Sequence, residues 1–243
     1  MTIVAGIHAV QEFLRTTPER MLKLSVQRNR RDAALAELIR QARMHDIQVA
    51  QVSREALDRM CDDVAHQGVA ARCQAFQPHS ESEFEALFAT LENPFLLAIE
   101  GVLDPRNLGA CLRSAEGAGV HAVLIPRNRS APLSSAAFKS ASGALSSLFV
   151  VGIGNLARRI EWLQAKGVWV VGTDDQADTR FIEHDYRVPT LVVVGGEENG
   201  LRELTKARCD ALVSIPMAGR VASLNVSVAT GVVLYEGVRQ RES

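Results

Sequence analysis

Hydrophobic and polar positions along the first 75 residues alternate between the helical and the strand period. Such mixed periodicity predicts a small α/β unit. The expected elements are helix 8–14, strand 22–26, helix 32–44, strand 47–52, helix 53–61 and strand 68–73. Asp32 and Ser53 stand where helix N-caps are expected, because their side chains can accept a hydrogen bond from the first helical turn.

Residues 76–94 interrupt this pattern. They begin with a Pro-His-Ser turn, carry four glutamates and no basic residue, and end at Pro94. Turn residues at the borders of a polar segment favour a linker, and one short helix is expected inside it.

From Phe95 onwards, short continuous apolar runs alternate with stretches of helical spacing. Such runs are typical of parallel strands that are buried on both faces of a sheet. The expected strands are 95–100, 122–126, 148–151, 168–172, 191–195 and 212–216, and the expected helices are 107–118, 134–142, 155–166, 201–207 and 224–240. The sequence therefore predicts an α/β chain with domains at 1–75 and 95–243, joined by the linker 76–94.

Composition narrows the class of protein. Hydrophobic residues make up 47% of the chain, which is enough to bury a core and too much for intrinsic disorder. The sequence has no apolar run near the roughly 18 residues of a membrane span. Its N-terminus lacks the basic start and the cleavage site of a signal peptide. We therefore expect a cytoplasmic protein that does not enter the membrane.

The net charge of −1 hides an uneven distribution. Between Arg15 and Arg43, eight basic residues stand against three acidic ones. This surplus could neutralise nucleic-acid phosphates, and a solvated helix face explains it equally well. The cysteines show neither CxxC spacing nor flanking histidine pairs, which predicts free thiols and no structural metal; they are Cys61, Cys73, Cys111 and Cys209.

Candidate chemistry follows three of the predicted strands, where open α/β sheets bind ligands. In the segment 104–119, Asn107 can cap a helix and Arg113 follows on that helix. In the segment 191–200, a strand runs into Gly195 and Gly196, and glycines there allow a ligand to approach the backbone. Taken alone, the first fits an ordinary capped helix and the second a plain strand-to-helix turn.

The third segment, 214–231, ends a strand at Pro216 and starts a helix near Ser223. Its residues Ser223, Asn225 and Ser227 place polar groups at the start of an otherwise apolar stretch. Taken alone, this too is an ordinary helix cap with local hydrogen bonds.

Together the three segments resemble the three motifs of the SpoU branch of the SPOUT methyltransferases. The patterns are NxGAxxRxA at 107–115, GGExxG at 195–200 and IPMxGxxxSLNVSVA at 215–229, in the order of the family. The third pattern is long and specific. GIHAV at 6–10 and HQGVAA at 66–71 resemble the substrate-binding domain of members that act on large-subunit ribosomal RNA, so the resemblance covers nearly the whole chain.

The resemblance implies features that periodicity does not reveal. It implies a parallel α/β catalytic domain with a C-terminal trefoil knot, a small L30e-like domain before it that binds RNA, and a homodimer formed through the knotted domain. The implied activity is the transfer of a methyl group from S-adenosyl-L-methionine to the 2′-oxygen of a guanosine ribose in 23S rRNA, as a step of ribosome biogenesis.

The resemblance also implies site residues. The catalytic ones are Asn107, Arg113, Glu197, Ser223 and Asn225, and the cofactor contacts, largely backbone groups, are Gly195, Ile215, Met217 and Leu224. Guanidinium groups keep their proton in proteins, so we expect Arg113 to hold a phosphate or stabilise negative charge on oxygen rather than act as a general base. Contacts to unstacked RNA bases and to phosphates are expected from Arg28, Arg30, Arg31, His8 and His66.

Other functions remain open from the residues. VVGIGN at 150–155 invites a Rossmann-type nucleotide-binding enzyme, but it lacks the third glycine and does not open the first βα unit of its domain. An RNA-binding relative without catalysis would have lost motif residues that this chain keeps. A tRNA-directed methyltransferase of the same family is a third alternative, although such enzymes usually lack the N-terminal domain.

Overall fold

The protein is described in a computed structural model, and the described residues are 1–30, 32–61, 65–74, 76–197 and 199–242. Contacts divide them into two compact units. Unit 1 comprises Met1–Gln77 and Pro132–Ser147, and unit 2 comprises Pro78–Ala131 and Leu148–Ser243. The expected domain borders at 75 and 95 stay a prediction. The contacts differ from that division by grouping 132–147 with unit 1 and 78–94 of the predicted linker with unit 2.

The secondary structure of the described residues alternates strands and helices. In chain order the elements are β1 (Thr2–Ala5), α1 (Ile7–Thr16), β2 (Met21–Gln27), α2 (Ala33–Met44), β3 (Gln48–Val52), α3 (Arg54–Cys61), β4 (Val69–Cys73), α4 (Glu81–Phe88), β5 (Phe95–Glu100), α5 (Pro105–Gly117), β6 (Ala122–Pro126), α6 (Ser135–Ala141), β7 (Val150–Ile153), α7 (Leu156–Gln164), β8 (Trp169–Thr173), β9 (Thr190–Gly195), α8 (Glu203–Lys206), β10 (Ala211–Val213) and α9 (Val226–Arg241).

Unit 1 is built on a four-stranded sheet in the order β1-β4-β2-β3. Strand β4 runs antiparallel to both β1 and β2, and β2 runs parallel to β3. Helix α6 packs in this unit, where Phe138 lies against Phe13 and Phe76, with ring centroids 6.3 and 6.0 Å apart. The segment between β6 and β7 therefore completes the core of unit 1.

Unit 2 is built on a six-stranded sheet in the order β10-β8-β9-β5-β6-β7, in which every pair is parallel. Its central strand β5 is buried along its whole length, as its apolar sequence FLLAIE requires. The predicted α/β fold with a parallel sheet is confirmed. The trefoil knot stays a prediction.

The sequence-based prediction missed one strand and misplaced the ends of other elements. Strand β1 was not expected, because four residues give too short a pattern. The strand expected at 212–216 ends at Val213, because the backbone of Ser214 pairs with Thr179 and Phe181 instead of continuing along β8. The last helix begins at Val226 rather than near Ser223, and Asn225 is its N-cap.

The linker contains the expected short helix, α4. Arg159 of α7 anchors this helix from within the same unit. Its guanidinium donates to Glu81 and Glu85 and lies 4.9 Å from the ring centre of Trp162. Within the described part of the chain, no helix has the length and apolar character needed to cross a membrane.

Candidate active site

A cavity of about 310 Å³ opens at the carboxyl ends of β8, β9 and β10. We call it the main cavity. Parallel strands end at one edge of a sheet, so the loops that follow them meet there. All four residues expected to contact a cofactor line it: Gly195, Ile215, Met217 and Leu224. Residues 215–224 belong to no helix or strand, so their backbone polar groups do not pair in a ladder.

Gly195 and Gly196 allow close packing of the chain against itself. A Cβ atom at Gly195 would lie 2.1 Å from the carbonyl carbon of Gly200, and one at Gly196 would lie 2.2 Å from the carbonyl oxygen of Gly101. The amide of Gly200 donates to the carbonyl oxygen of Gly196 at 2.9 Å. We expected these glycines to let a ligand approach the backbone. The structure shows that they let the backbone of Gly101, Gly200 and Leu201 pack closely against them.

Three side chains from separate parts of the chain meet beside the main cavity. The side-chain amide of Asn225 donates to Oε1 of Glu197 at 2.7 Å and to Oδ1 of Asn107 at 3.2 Å. Asn107 also donates to the same Glu197 oxygen. We call these residues the polar cluster. It joins α5, the loop after β9 and the start of α9 through one carboxylate.

The helix starts explain how Asn107 and Asn225 reach this cluster. Oδ1 of Asn225 caps α9 by accepting from the Ser227 amide at 3.0 Å, which leaves its Nδ2 for the cluster. We had expected Asn107 to be the N-cap of α5, and this prediction is wrong. Asp104 caps that helix, accepting from the Arg106 amide at 2.9 Å, and Pro105 occupies the first helical position that proline favours.

The other two expected catalytic residues lie outside the cluster. Ser223 lines the main cavity from the loop before α9. Arg113 is exposed on α5. It follows Asn107 by six residues, which is about 9 Å along the helix axis. The structure therefore brings three of the five together, places Ser223 on the cavity wall and leaves Arg113 on the surface of the same helix.

The residues of the main cavity that sequence reasoning missed include Thr173, Asp174 and Lys206. Nζ of Lys206 lies 2.7 Å from the Asp174 carboxylate. Burial raises the pKa of the Asp174 carboxyl, but hydrogen bonds from Lys206 and from the Gln176 amide outweigh it and lower the pKa overall. The missed signal was the sequence Thr-Asp-Asp at the end of β8, a third strand end at the same edge of the sheet.

Helices α5 and α9 pack directly against each other behind the cluster. Cys111 of α5 and Thr230 of α9 are buried and lie 3.5 Å apart through Sγ and Oγ1. Burial raises the pKa of the Cys111 thiol to about 11, so the thiol stays neutral and is a poor nucleophile. This contact is structural: it fixes the helix that carries Asn107 against the helix that Asn225 caps.

The residues expected to contact RNA lie in unit 1. Arg28 and His8 are exposed, whereas Arg31 falls outside the described residues. Arg30 is engaged within the unit, where it donates to the Gln67 carbonyl oxygen at 2.7 Å and to Asp32 at 2.6 Å.

His66 is buried in unit 1. Its Nδ1 accepts from the Gly68 amide at 3.0 Å, so Nε2 carries the proton and donates to Asp58 at 2.9 Å. With both ring nitrogens engaged, His66 stabilises the loop before β4, and the RNA contact expected of it stays a prediction.

Comparison with protein families gives two matches. Residues 94–235 match the SpoU rRNA Methylase family. Residues 3–79 match a family described as RNA 2′-O ribose methyltransferase substrate binding. The first match alone covers more than half of the chain and contains the main cavity and the polar cluster.

Individual relatives agree with these matches. The chain is 45% identical to the 23S rRNA (guanosine-2′-O-)-methyltransferase RlmB of Pectobacterium atrosepticum and 44% identical to that of Escherichia coli K12, and each alignment covers 98% of both chains. Among solved structures, the SpoU methyltransferase AviRb from Streptomyces viridochromogenes, in complex with the cofactor AdoMet, is similar with a TM-score of 0.80. It is 25% identical, and the match covers 99% of this chain and 90% of that one.

Proposed function

The chain belongs to the SpoU rRNA methylase family, and from this premise we propose that it methylates the 2′-oxygen of a guanosine ribose in 23S rRNA with S-adenosylmethionine as methyl donor. The observation that carries the proposal is the meeting of Asn107, Glu197 and Asn225 beside the main cavity. Relatives named for this reaction match the chain over nearly its whole length.

The main cavity fits the proposed methyl donor. Small-molecule sites usually measure about 300–1,000 Å³ and combine apolar walls with a few polar groups. Val194, Val213 and Leu224 supply apolar wall, and Glu197 supplies a carboxylate that suits a cationic ligand. Gly195, Ile215, Met217 and Leu224 would hold the donor, largely through backbone groups. When bound, S-adenosylmethionine supplies an electrophilic methyl group.

The chain's own residues position the ribose. A hydroxyl is a poor nucleophile, so holding it at the right place is much of the catalytic task. Glu197 is oriented by two amide donors, and its second oxygen is then available to a ribose hydroxyl. Because guanidinium groups are poor general bases, Arg113 would stabilise negative charge on a phosphate or on the attacking oxygen. Ser223 contributes a hydroxyl on the cavity wall.

The features of unit 1 support ribosomal RNA as the proposed substrate. Its residues 3–79 match a substrate-binding family, and exposed Arg28 and His8 offer a cation and a flat ring to RNA. We assign residues 1–75 to RNA binding and residues 95–243 to catalysis. The proposed modification of ribosomal RNA supports a cytoplasmic location.

Helix α9 supports the proposal of a homodimer. Val228 and Tyr235 are large apolar side chains exposed to 51% and 53%. They lie seven residues apart, on one face of the helix, with half-buried Val232 between them. An apolar stripe of this kind favours a protein contact, and family membership supports a second copy of the catalytic domain as that partner.

The test is to map 2′-O-methylated nucleotides of ribosomal and transfer RNA by mass spectrometry in a strain that lacks the protein. We expect the loss of one methylated guanosine of 23S rRNA, restored by the natural chain and not by an Arg113→Ala variant with normal cofactor affinity. Loss of a tRNA methylation instead would favour the tRNA-directed alternative, and an unchanged map would refute the proposal.

A further inference from the structure

A second cavity, of about 300 Å³, lies at the carboxyl ends of β5, β6 and β7 in unit 2. Arg129 and Asn128 line it from the loop after β6, Asn155 lines it from the start of α7, and Arg202 lines it from the loop after β9. Leu201 lines the main cavity and the next residue, Arg202, lines the second, so one short loop separates the two. Both cavities open at the same edge of the sheet.

The chemistry of the second cavity favours an anion. Its lining contains one acidic residue, Glu100, whose carboxylate is buried and compensated. That carboxylate accepts from the Arg202 amide at 3.0 Å and from the Thr205 hydroxyl at 2.9 Å, and it lies 3.7 Å from Nε of Arg202. With Glu100 balanced inside the protein, Arg129 gives the cavity a positive charge.

The loop holds Arg129 in a costly backbone conformation. Its φ is 59°, in the left-handed region that non-glycine residues rarely adopt. Such strain persists where the surrounding structure enforces it, and it is common at binding sites. The start of α7 borders the same cavity and adds the positive end of a helix dipole to the charge of Arg129.

We propose that the second cavity binds a phosphodiester group of the RNA substrate. This inference rests on the proposed function and adds a contact that the polar cluster does not make. Guanidinium groups bind phosphate through paired N–H donors, and the side-chain amides of Asn128 and Asn155 can donate to the same oxygens. A phosphate held here fixes the RNA backbone next to the loop that carries Glu197, so Arg129 is a substrate-positioning residue.

The experiment uses the full-length chain with Arg129→Asn. Asparagine tolerates the left-handed conformation better than most residues, so this variant should unfold at the same temperature as the natural chain or higher. Binding to a 23S rRNA fragment is measured over a range of salt concentrations. Each phosphate contact with single-stranded RNA adds about 0.7 to the slope of log affinity against log salt.

We expect Arg129→Asn to weaken RNA binding about tenfold and lower the slope by about 0.7, with cofactor affinity unchanged. Arg129→Lys should regain most of the slope, because lysine binds phosphate as a point charge. The matched control is Arg187→Asn, which removes an exposed arginine of unit 2 that pairs with Asp185; its slope should not change.

The inference would be overturned if the slope of log RNA affinity against log salt were the same for Arg129→Asn and the natural chain. Inorganic phosphate is tested as a second probe: if it protects the natural chain but not Arg129→Asn against heat while the RNA slope is unchanged, the cavity takes a small anion instead. Methyl transfer by the natural chain is measured in the same assay. Normal transfer with an unchanged slope refutes the phosphate contact alone, and absence of transfer refutes the proposed function.

Discussion

Gly195 has no room for a side chain. An added Cβ would meet backbone atoms of Gly200 and Leu201 at 2.1 and 2.3 Å, and backbone cannot yield as the end of a flexible side chain can. We expect Gly195→Ala to destabilise the fold by roughly 1–3 kcal/mol, the usual cost of overpacking, and to weaken cofactor binding. Denaturant unfolding and calorimetry measure the two effects.

The matched control for that variant is Gly219→Ala. Gly219 lies in the loop before α9, and a Cβ there would have no atom within 4 Å among the described residues. Its φ lies outside the left-handed region, so alanine fits its backbone. If the Gly195→Ala and Gly219→Ala variants are equally stable, the backbone at Gly195 does not approach that of Gly200 and Leu201 as closely as described.

Glu197 offers a test of charge without change of shape. Asn107 and Asn225 both donate to the same oxygen, Oε1, so a glutamine can keep both contacts and replace only Oε2. Removing the charge costs a charge-assisted hydrogen bond to the substrate, about 1.5–3 kcal/mol. We expect Glu197→Gln to lower kcat about 10- to 100-fold while the unfolding midpoint stays the same.

Steady-state kinetics of methyl transfer measure this effect. Glu203→Gln is the control, because Glu203 on α8 has an almost fully exposed carboxylate, outside the lining of the main cavity. If Glu197→Gln turns over as fast as Glu203→Gln, the carboxylate has no part in positioning the ribose.

At the scale of elements, the N-terminus of α4 contains a capping box. Oγ of Ser80 accepts from the Glu83 amide at 3.2 Å, and the Glu83 carboxylate accepts from the Ser80 amide at 2.7 Å. The hydroxyl and amide of Ser80, with His79, lower the pKa of Glu83 from 4.5 to about 2. A lowered pKa in the folded state stabilises the fold above pH 4.5, and this contribution is lost as the pH falls towards 2.

We therefore expect Glu83→Gln to reduce the urea midpoint of unfolding at pH 7 and to have a smaller effect near pH 3. The exposed Glu92, in the turn after α4, gives the control Glu92→Gln, which should show no such dependence on pH. An equal effect of Glu83→Gln at both pH values would argue against the capping contact.

Some helices and strands could be predicted from local sequence patterns alone. Asp32 caps α2 as expected, and the run FLLAIE forms β5 at the predicted residues, because these signals act within a few neighbouring residues. Asn107 was assigned the wrong position because both Asp104 and Asn107 are good caps, and only the pairing of Asp104 with Pro105 separates them. The end of β10 depends on its neighbour β8, which the local sequence does not specify.

At the scale of the whole molecule, unit 1 depends on residues from the middle of the chain. Phe138, Ala141 and Leu145 are buried in it, although they follow β6 of unit 2. Deleting residues 1–77 would expose these side chains to water, at about 25 cal/mol for each Å² of apolar surface.

We expect the deleted chain to bind RNA weakly and to aggregate or bind a hydrophobic dye. The same deletion with Phe138→Ser and Leu145→Ser should do so much less, because the new surface is then more polar. Light scattering and dye fluorescence distinguish the two proteins. A simple deletion that stays as soluble as the full chain would show that the segment 132–147 does not need unit 1.

The amino-acid sequence by itself determined the α/β class, most helices and strands of unit 2, and the motif residues, because these depend on local periodicity and residue type. The tertiary structure decided which of those residues meet. Asn107, Glu197 and Asn225 are separated by up to 118 positions, and they come together because β5 pairs with β9 and α5 packs on α9. The cavity residues Asp174 and Lys206 and the place of Phe138 in unit 1 also depend on such long-range contacts, which a local pattern does not encode.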